Sequence, residues 1–128
     1  MVTTSFRYYQ YLYTLDTGES VQQPNGSWKE AESAWKLTAA CREETNGKGT
    51  TIQTADREDY LFSSLIQMPK GTPVISEGTE IVVTREEVEP SQLLKPGFIE
   101  TAKQTGLVVV FGTCQKFDYG RLHCRMWI

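Results

Sequence analysis

Apolar and aromatic residues fall in short runs closed by glycine-bearing turns, and several runs alternate apolar with polar positions. Period-two alternation sends successive side chains to opposite faces of a strand, so the pattern predicts β-structure. The turns are Asp16-Thr17-Gly18, Pro24-Asn25-Gly26 and Asn46-Gly47-Lys48-Gly49. Asn-Gly is the strongest short-range hairpin signal, because both residues tolerate the positive φ of a two-residue turn. Strands are predicted over 6–15, 50–54, 60–68, 80–84, 107–117 and 121–128. The fold class expected is all-β: a small antiparallel β-barrel or sandwich with one long loop excursion and, within it, a short helix. No composition shift marks a boundary, so residues 1–128 read as a single β-barrel domain with an extended loop at 85–106.

One segment carries two competing signals. Ser27-Trp28-Lys29-Glu30 has the form of a capping box, and good helix formers follow it. Against this, Trp35, Leu37, Ala39 and Cys41 alternate with Lys36, Thr38, Ala40 and Arg42. With glycine turns on both sides, the stripe favours a strand over 34–43.

At the C-terminal end, a three-residue loop at Asp118-Tyr119-Gly120 pairs Phe117 with Arg121. Cys114 then faces Cys124, and Val110 and Gly112 share a core face with Leu122, Met126 and Ile128. Phe111 falls beside Trp127 as a cross-strand aromatic pair. The last strand reads as a closing strand.

The pattern lapses over 85–106, where Pro90 and Pro96 forbid a long central strand. A helical turn is expected at 90–94, with Pro90 in the first helical position. Long excursions in small domains are commonly functional, which makes this the first place to look for a partner.

The aromatic strand at 6–15 is apolar on both sides. Phe6, Tyr8 and Leu12 share one face; Tyr9, Tyr11, Tyr13 and Leu15 share the other. A small barrel has one core, so the second face is expected to meet another chain, most simply a second copy. The candidate interface residues are Tyr9, Tyr11 and Tyr13, with Glu86, Glu87, Glu89, Leu93, Leu94 and Phe98 from the excursion.

Charge and cysteine content narrow the function classes. The 128 residues hold 13 Lys and Arg against 16 Asp and Glu, a net charge of -3, which supplies little of the positive charge that non-specific nucleic-acid binding requires. The start lacks a basic stretch followed by an apolar core, and no long apolar run occurs, so neither a signal peptide nor a membrane span is expected. Cys41, Cys114 and Cys124 form an odd set without C-x-x-C spacing, which fits reduced thiols in an intracellular chain.

No motif assembles a catalytic site. His123 is the one histidine and, as a strand neighbour of Cys124, points to the opposite face, which opposes a zinc site. Asn46-Gly47-Lys48-Gly49-Thr50-Thr51 lacks the glycine spacing of a phosphate loop. Asp56, Glu58 and Asp59 lack Ca²⁺-loop spacing. The tyrosines lack the interleaved basic residues of a base-stacking platform. Neither enzyme activity nor a metal, cofactor or small-molecule substrate is expected.

The order of features is similar to that of the head-closure, or stopper, proteins of tailed bacteriophages. The likeness is carried by Gly26-Ser27-Trp28 before the strand opening at Ala34-Trp35, the Gly47 and Gly49 turn, and Phe62-Ser63-Ser64-Leu65-Ile66. It continues in Gly78-Thr79-Glu80-Ile81-Val82-Val83 and the last hairpin. It spans most of the chain as a pattern; the 85–106 excursion departs from shorter relatives. The resemblance implies a structural virion protein assembled in the host cytoplasm, a β-barrel subunit of a homo-oligomeric ring in the head-tail connector. Its partners would be itself and neighbouring portal, connector or tail proteins, with DNA passing through without specific binding. An acidic lumen lined by Glu86, Glu87 and Glu89, or by Asp56, Glu58 and Asp59, would let DNA slide. The alternatives are a monomeric binding module or inhibitor that uses the 85–106 loop, and a barrel that binds single-stranded nucleic acid.

Overall fold

The computed structural model describes residues 2, 4–17, 21–29, 33–53 and 58–128. Its strands are β1 (Gln10–Asp16), β2 (Val21–Gln22), β3 (Trp28–Lys29), β4 (Ala34–Thr45), β5 (Thr51–Gln53), β6 (Asp59–Leu61), β7 (Ser64–Pro69) and β8 (Glu80–Thr84). A 3₁₀ helix (Pro90–Leu94) and α1 (Phe98–Thr105) follow, then β9 (Val108–Thr113), β10 (Lys116–Tyr119) and β11 (His123–Trp127). Seven strands form an antiparallel sheet in the order β10-β11-β7-β4-β1-β8-β9, and β2–β3 and β5–β6 are separate two-stranded hairpins. The expected all-β class is what the chain adopts.

Two strands turn this sheet into a sandwich. β4 pairs with β1 through residues 34–41 and with β7 through residues 42–45. β9 pairs with β8 and β10 with β11, and only Cys114 and Gln115 separate them. At that corner the Cys114 N–H donates to the Thr79 carbonyl and the Gln115 N–H to the Trp127 carbonyl, each at 2.8 Å. Strands that switch sheets at corners are how two sheets enclose one core. The ladder stays open between β9 and β10, so the arrangement is sandwich-like rather than a closed barrel.

The alternating stripe in β4 prevails over the capping box, but it serves two cores. Leu12 pairs with Ala39 and Tyr13 with Leu37, which leaves Thr38 as an extra residue. Such a bulge exchanges the faces of the strand on either side of it. Ala39 and Cys41 therefore join the inner core with Leu12, Ile66, Met68 and Met126. Trp35 and Leu37 join Tyr13 and Val82 on the outer face. Ser27 caps no helix: its N–H and hydroxyl both reach Asn25 Oδ1, inside a tight turn where Gly26 has φ 89°. The capping-box Glu30 and the turn residue Gly18 lie outside the described residues.

The apolar second face of β1 is covered by the chain itself, which corrects the expectation of a second subunit there. Val88, Leu93 and Ala102 of the excursion pack on Tyr13, Trp35 and Val82. The excursion has the 3₁₀ turn read from Pro90, but it also holds α1, which the sequence reading missed. Pro96 forbids a long strand there, and Gly97, at φ 77°, opens α1, which Gly106, at φ 85°, closes. Phe98, Ile99 and Ala102 then line one helical face against the outer core.

The C-terminal register also differs from expectation. Tyr119 faces Cys124 and Lys116 faces Trp127, so Cys114 lies beyond the paired segment. The loop comes later than expected and leaves Leu122 85% exposed rather than in the core. Phe111 contacts Trp35, with centroids 6.4 Å apart, instead of Trp127. β11 does not close the sheet; it lies between β10 and β7.

Candidate functional site

The nine residues singled out in the sequence divide in the structure. Tyr13 and Leu93 are buried within the outer core, and Tyr11 and Phe98 are half-buried against it. These four hold the excursion to the sheet, so Tyr13 and Leu93 are not available to another chain. Tyr9, Glu86, Glu87, Glu89 and Leu94 remain exposed.

Tyr13 has a specific partner. Its hydroxyl donates to the Val88 carbonyl and accepts the Val88 N–H, each at 2.7 Å. One side chain thereby satisfies both backbone groups of a buried residue 75 positions away.

The sequence reading missed the strands of one hairpin arm, β2–β3, and of the other gave the strand at 50–54 but ran β6 and β7 together as one strand over 60–68. β2–β3 lies in the connection between β1 and β4, at the Ala34 end of β4, and carries Trp28, 66% exposed. β5–β6 lies in the connection between β4 and β7, at the Thr45 end, and carries Leu61, 61% exposed. Each hairpin pairs with itself alone, and among the described residues no other element makes substantial contact with either. Asn46 pins the root of the second arm: Nδ2 donates to the Thr50 and Phe62 carbonyls at 2.8 Å, and Oδ1 accepts the Thr50 N–H at 3.2 Å. The Asn46–Gly49 turn thus leads into a further hairpin instead of closing one. The signal for the arms was present in Asn25-Gly26 and in the spacing between strands. Strands of two residues, such as β2 and β3, give no periodicity to read.

Glu58 and Asp59 are exposed at the start of β6, while Asp56 and Arg57 lie outside the described residues. An open cleft of about 420 Å³ lies between β1, β4 and the 73–79 segment. Thr14 and Thr38 hydroxyls bond one another there at 2.7 Å. Among the described residues, no three His, Cys, Asp or Glu side chains converge as metal ligands, and no helix is long and apolar enough to cross a membrane.

The three cysteines are buried and free. Cys114 Sγ points to the Ile75 carbonyl at 3.8 Å and Cys124 Sγ to the Thr72 carbonyl at 4.0 Å. Burial, with Glu43 nearby, pushes the Cys41 thiol well above its ordinary range. Burial and then Glu77 push Cys114 up to about 11. Tyr13 is also raised, chiefly by burial. An unfolded chain releases these protons at lower pH than the native one, so stability is complete below pH ~8.5 and falls as pH rises through about 11. Urea midpoints measured between pH 8 and 11 should decline, and a thiol reagent at pH 8 should label the protein only after unfolding. Prompt labelling of the native protein would contradict this burial.

The fold and surfaces define a small all-β protein with a self-covered sandwich and two projecting arms. Comparison with known proteins found no significant match to a family model, a curated protein or a solved structure.

Proposed function

We propose that this protein is a structural assembly subunit of the phage head-closure type, one of several copies in a ring that joins a DNA-filled head to its tail. The observation that carries this reading is the pair of hairpin arms in the connections at opposite ends of β4, with Trp28 and Leu61 in solvent. A two-stranded ribbon is marginal in water and gains stability when a third strand or an apolar surface meets it. Arms with exposed apolar side chains at both ends of one strand suit a subunit gripped by different neighbours on its two sides. The exposed Phe6 and Tyr9 add apolar surface before β1. The acidic balance of the chain also favours DNA that slides past without sticking.

The test is genetic and visual. Disrupting the gene in a phage that carries it should leave DNA-filled or emptied heads without tails in electron micrographs. Normal tailed particles would overturn the proposal. Substituting Trp28 and Leu61 together with serine should leave the circular dichroism spectrum unchanged while failing to restore tailed particles.

A further inference from the structure

The two outer faces of the sandwich differ. One is covered by the excursion; the other, formed by β10, β11, β7 and the end of β4, has no further element in substantial contact with it among the described residues. Register places Lys116, Trp127, Leu65 and Glu44 in one row across that open face, and Asp118, Arg125, Gln67 and Arg42 in the next. The Lys116 ammonium and Arg125 guanidinium lie 5.4 Å and 5.3 Å from the Trp127 ring centroid. Cations over an indole face are held there by its quadrupole, so the positive charge is positioned, not trailing in solvent.

This face is basic although the chain is acidic. Residues 42–45, 64–70 and 116–128 hold five of the 13 Lys and Arg and three of the 16 Asp and Glu, with Lys70 and Arg121 in the turns at the edge of the face. Of these acids Asp118 pairs with Arg125 at 2.6 Å and Glu44 with Arg42 at 2.8 Å, while Glu43 accepts the Ser64 and Thr45 hydroxyls. Lys70, Lys116 and Arg121 have no ion-pair partner among the described residues. On the covered side of the sandwich, residues 86–89 present three exposed glutamates around buried Val88, and exposed Leu94 follows them.

We infer that the basic open face of one copy of this chain docks on the 86–94 segment of the next copy. Lys70, Lys116 and Arg121 meet Glu86, Glu87 and Glu89, while half-buried Leu65 supplies apolar contact for Leu94. This rests on the ring-assembly reading above and names the surfaces that would build the ring. A second copy suits the face better than a nucleic-acid backbone. Asp118 and Glu44 already neutralise two of its arginines and would repel phosphates, whereas three free cations match three glutamates. The two surfaces belong to opposite sides of the sandwich, so the contact is heterologous and repeats until the rotation closes.

The test is light scattering on the purified full chain over a concentration series at low and high salt. The wild type should form a discrete oligomer that weakens with salt, since exposed charges are screened. A triple variant with Lys70→Glu, Lys116→Glu and Arg121→Glu should be monomeric, as should one with Glu86→Lys, Glu87→Lys and Glu89→Lys, both with wild-type unfolding midpoints. Combining all six substitutions in one chain should restore the oligomer. An oligomer that persists in both triple variants would overturn these surfaces and leave the ring reading intact. A wild type monomeric at every concentration would overturn the inference, while the tail-less phenotype would still decide the proposed function. Binding of short duplex DNA by the wild type, lost in the first triple variant, would assign the face to phosphate and also overturn it.

Discussion

Ile66→Ala is expected to lower unfolding stability by about 3 to 4 kcal/mol, within the usual span for deleting a fully buried aliphatic side chain and leaving a cavity. Ile66 has no exposed surface and lies in the inner core with Leu12, Cys41 and Met126. It pairs with Met126 on one side and Glu43 on the other, so β7 cannot collapse into the space without disturbing both neighbours. Small domains hold only about 5–15 kcal/mol in total, so the loss is a large share of the whole. Urea unfolding followed by tryptophan fluorescence measures it. Leu122→Ala is the control, because Leu122 is almost wholly in solvent and should shift the midpoint by no more than about 0.5 kcal/mol. Comparable losses for the two variants would contradict the observed register of the last hairpin.

Tyr13→Phe should cost about 2 to 4 kcal/mol although it removes a single oxygen. The ring still fills its place in the outer core, but the Val88 N–H and carbonyl both lose their partner in a buried setting. Each orphaned buried polar group costs about 1 to 3 kcal/mol. The loss should be local in its dynamics. Amide exchange should accelerate through the excursion, from Val88 into α1, while the β7 and β11 amides keep their protection. A change of a few tenths of a kcal/mol, with exchange unaltered, would mean that Leu93 and Ala102 hold the excursion by apolar contact alone.

The same two residues show how far the chain could be read unaided. Tyr13 was visible as an apolar position on the second face of an aromatic strand, and that face was correctly read as needing cover. Its cover was misassigned to another subunit. Pro96 and Gly97 hid α1, and a helix of eight residues with Phe98, Ile99 and Ala102 on one face offers little periodicity to offset two breaker residues. Of the candidate interface residues, Tyr9, the three glutamates and Leu94 lie exposed, whereas the open basic face was not legible. Its cations come from β4, β10 and β11 and the turns after β7 and β10, and only strand pairing brings them together.

Local chemistry in the chain was sufficient to determine the all-β class, the Asn25-Gly26 turn, the strand at 34–43 and the helical turn at Pro90, since each depends on side-chain alternation or backbone preference within a few residues. Only the tertiary structure decided which face of each strand meets which core, because one extra residue at Thr38 reverses that assignment. It also decided the partner of Tyr13 and the pairing of the last hairpin. Those choices are made by contacts between residues far apart in the chain, whose energies no local pattern records.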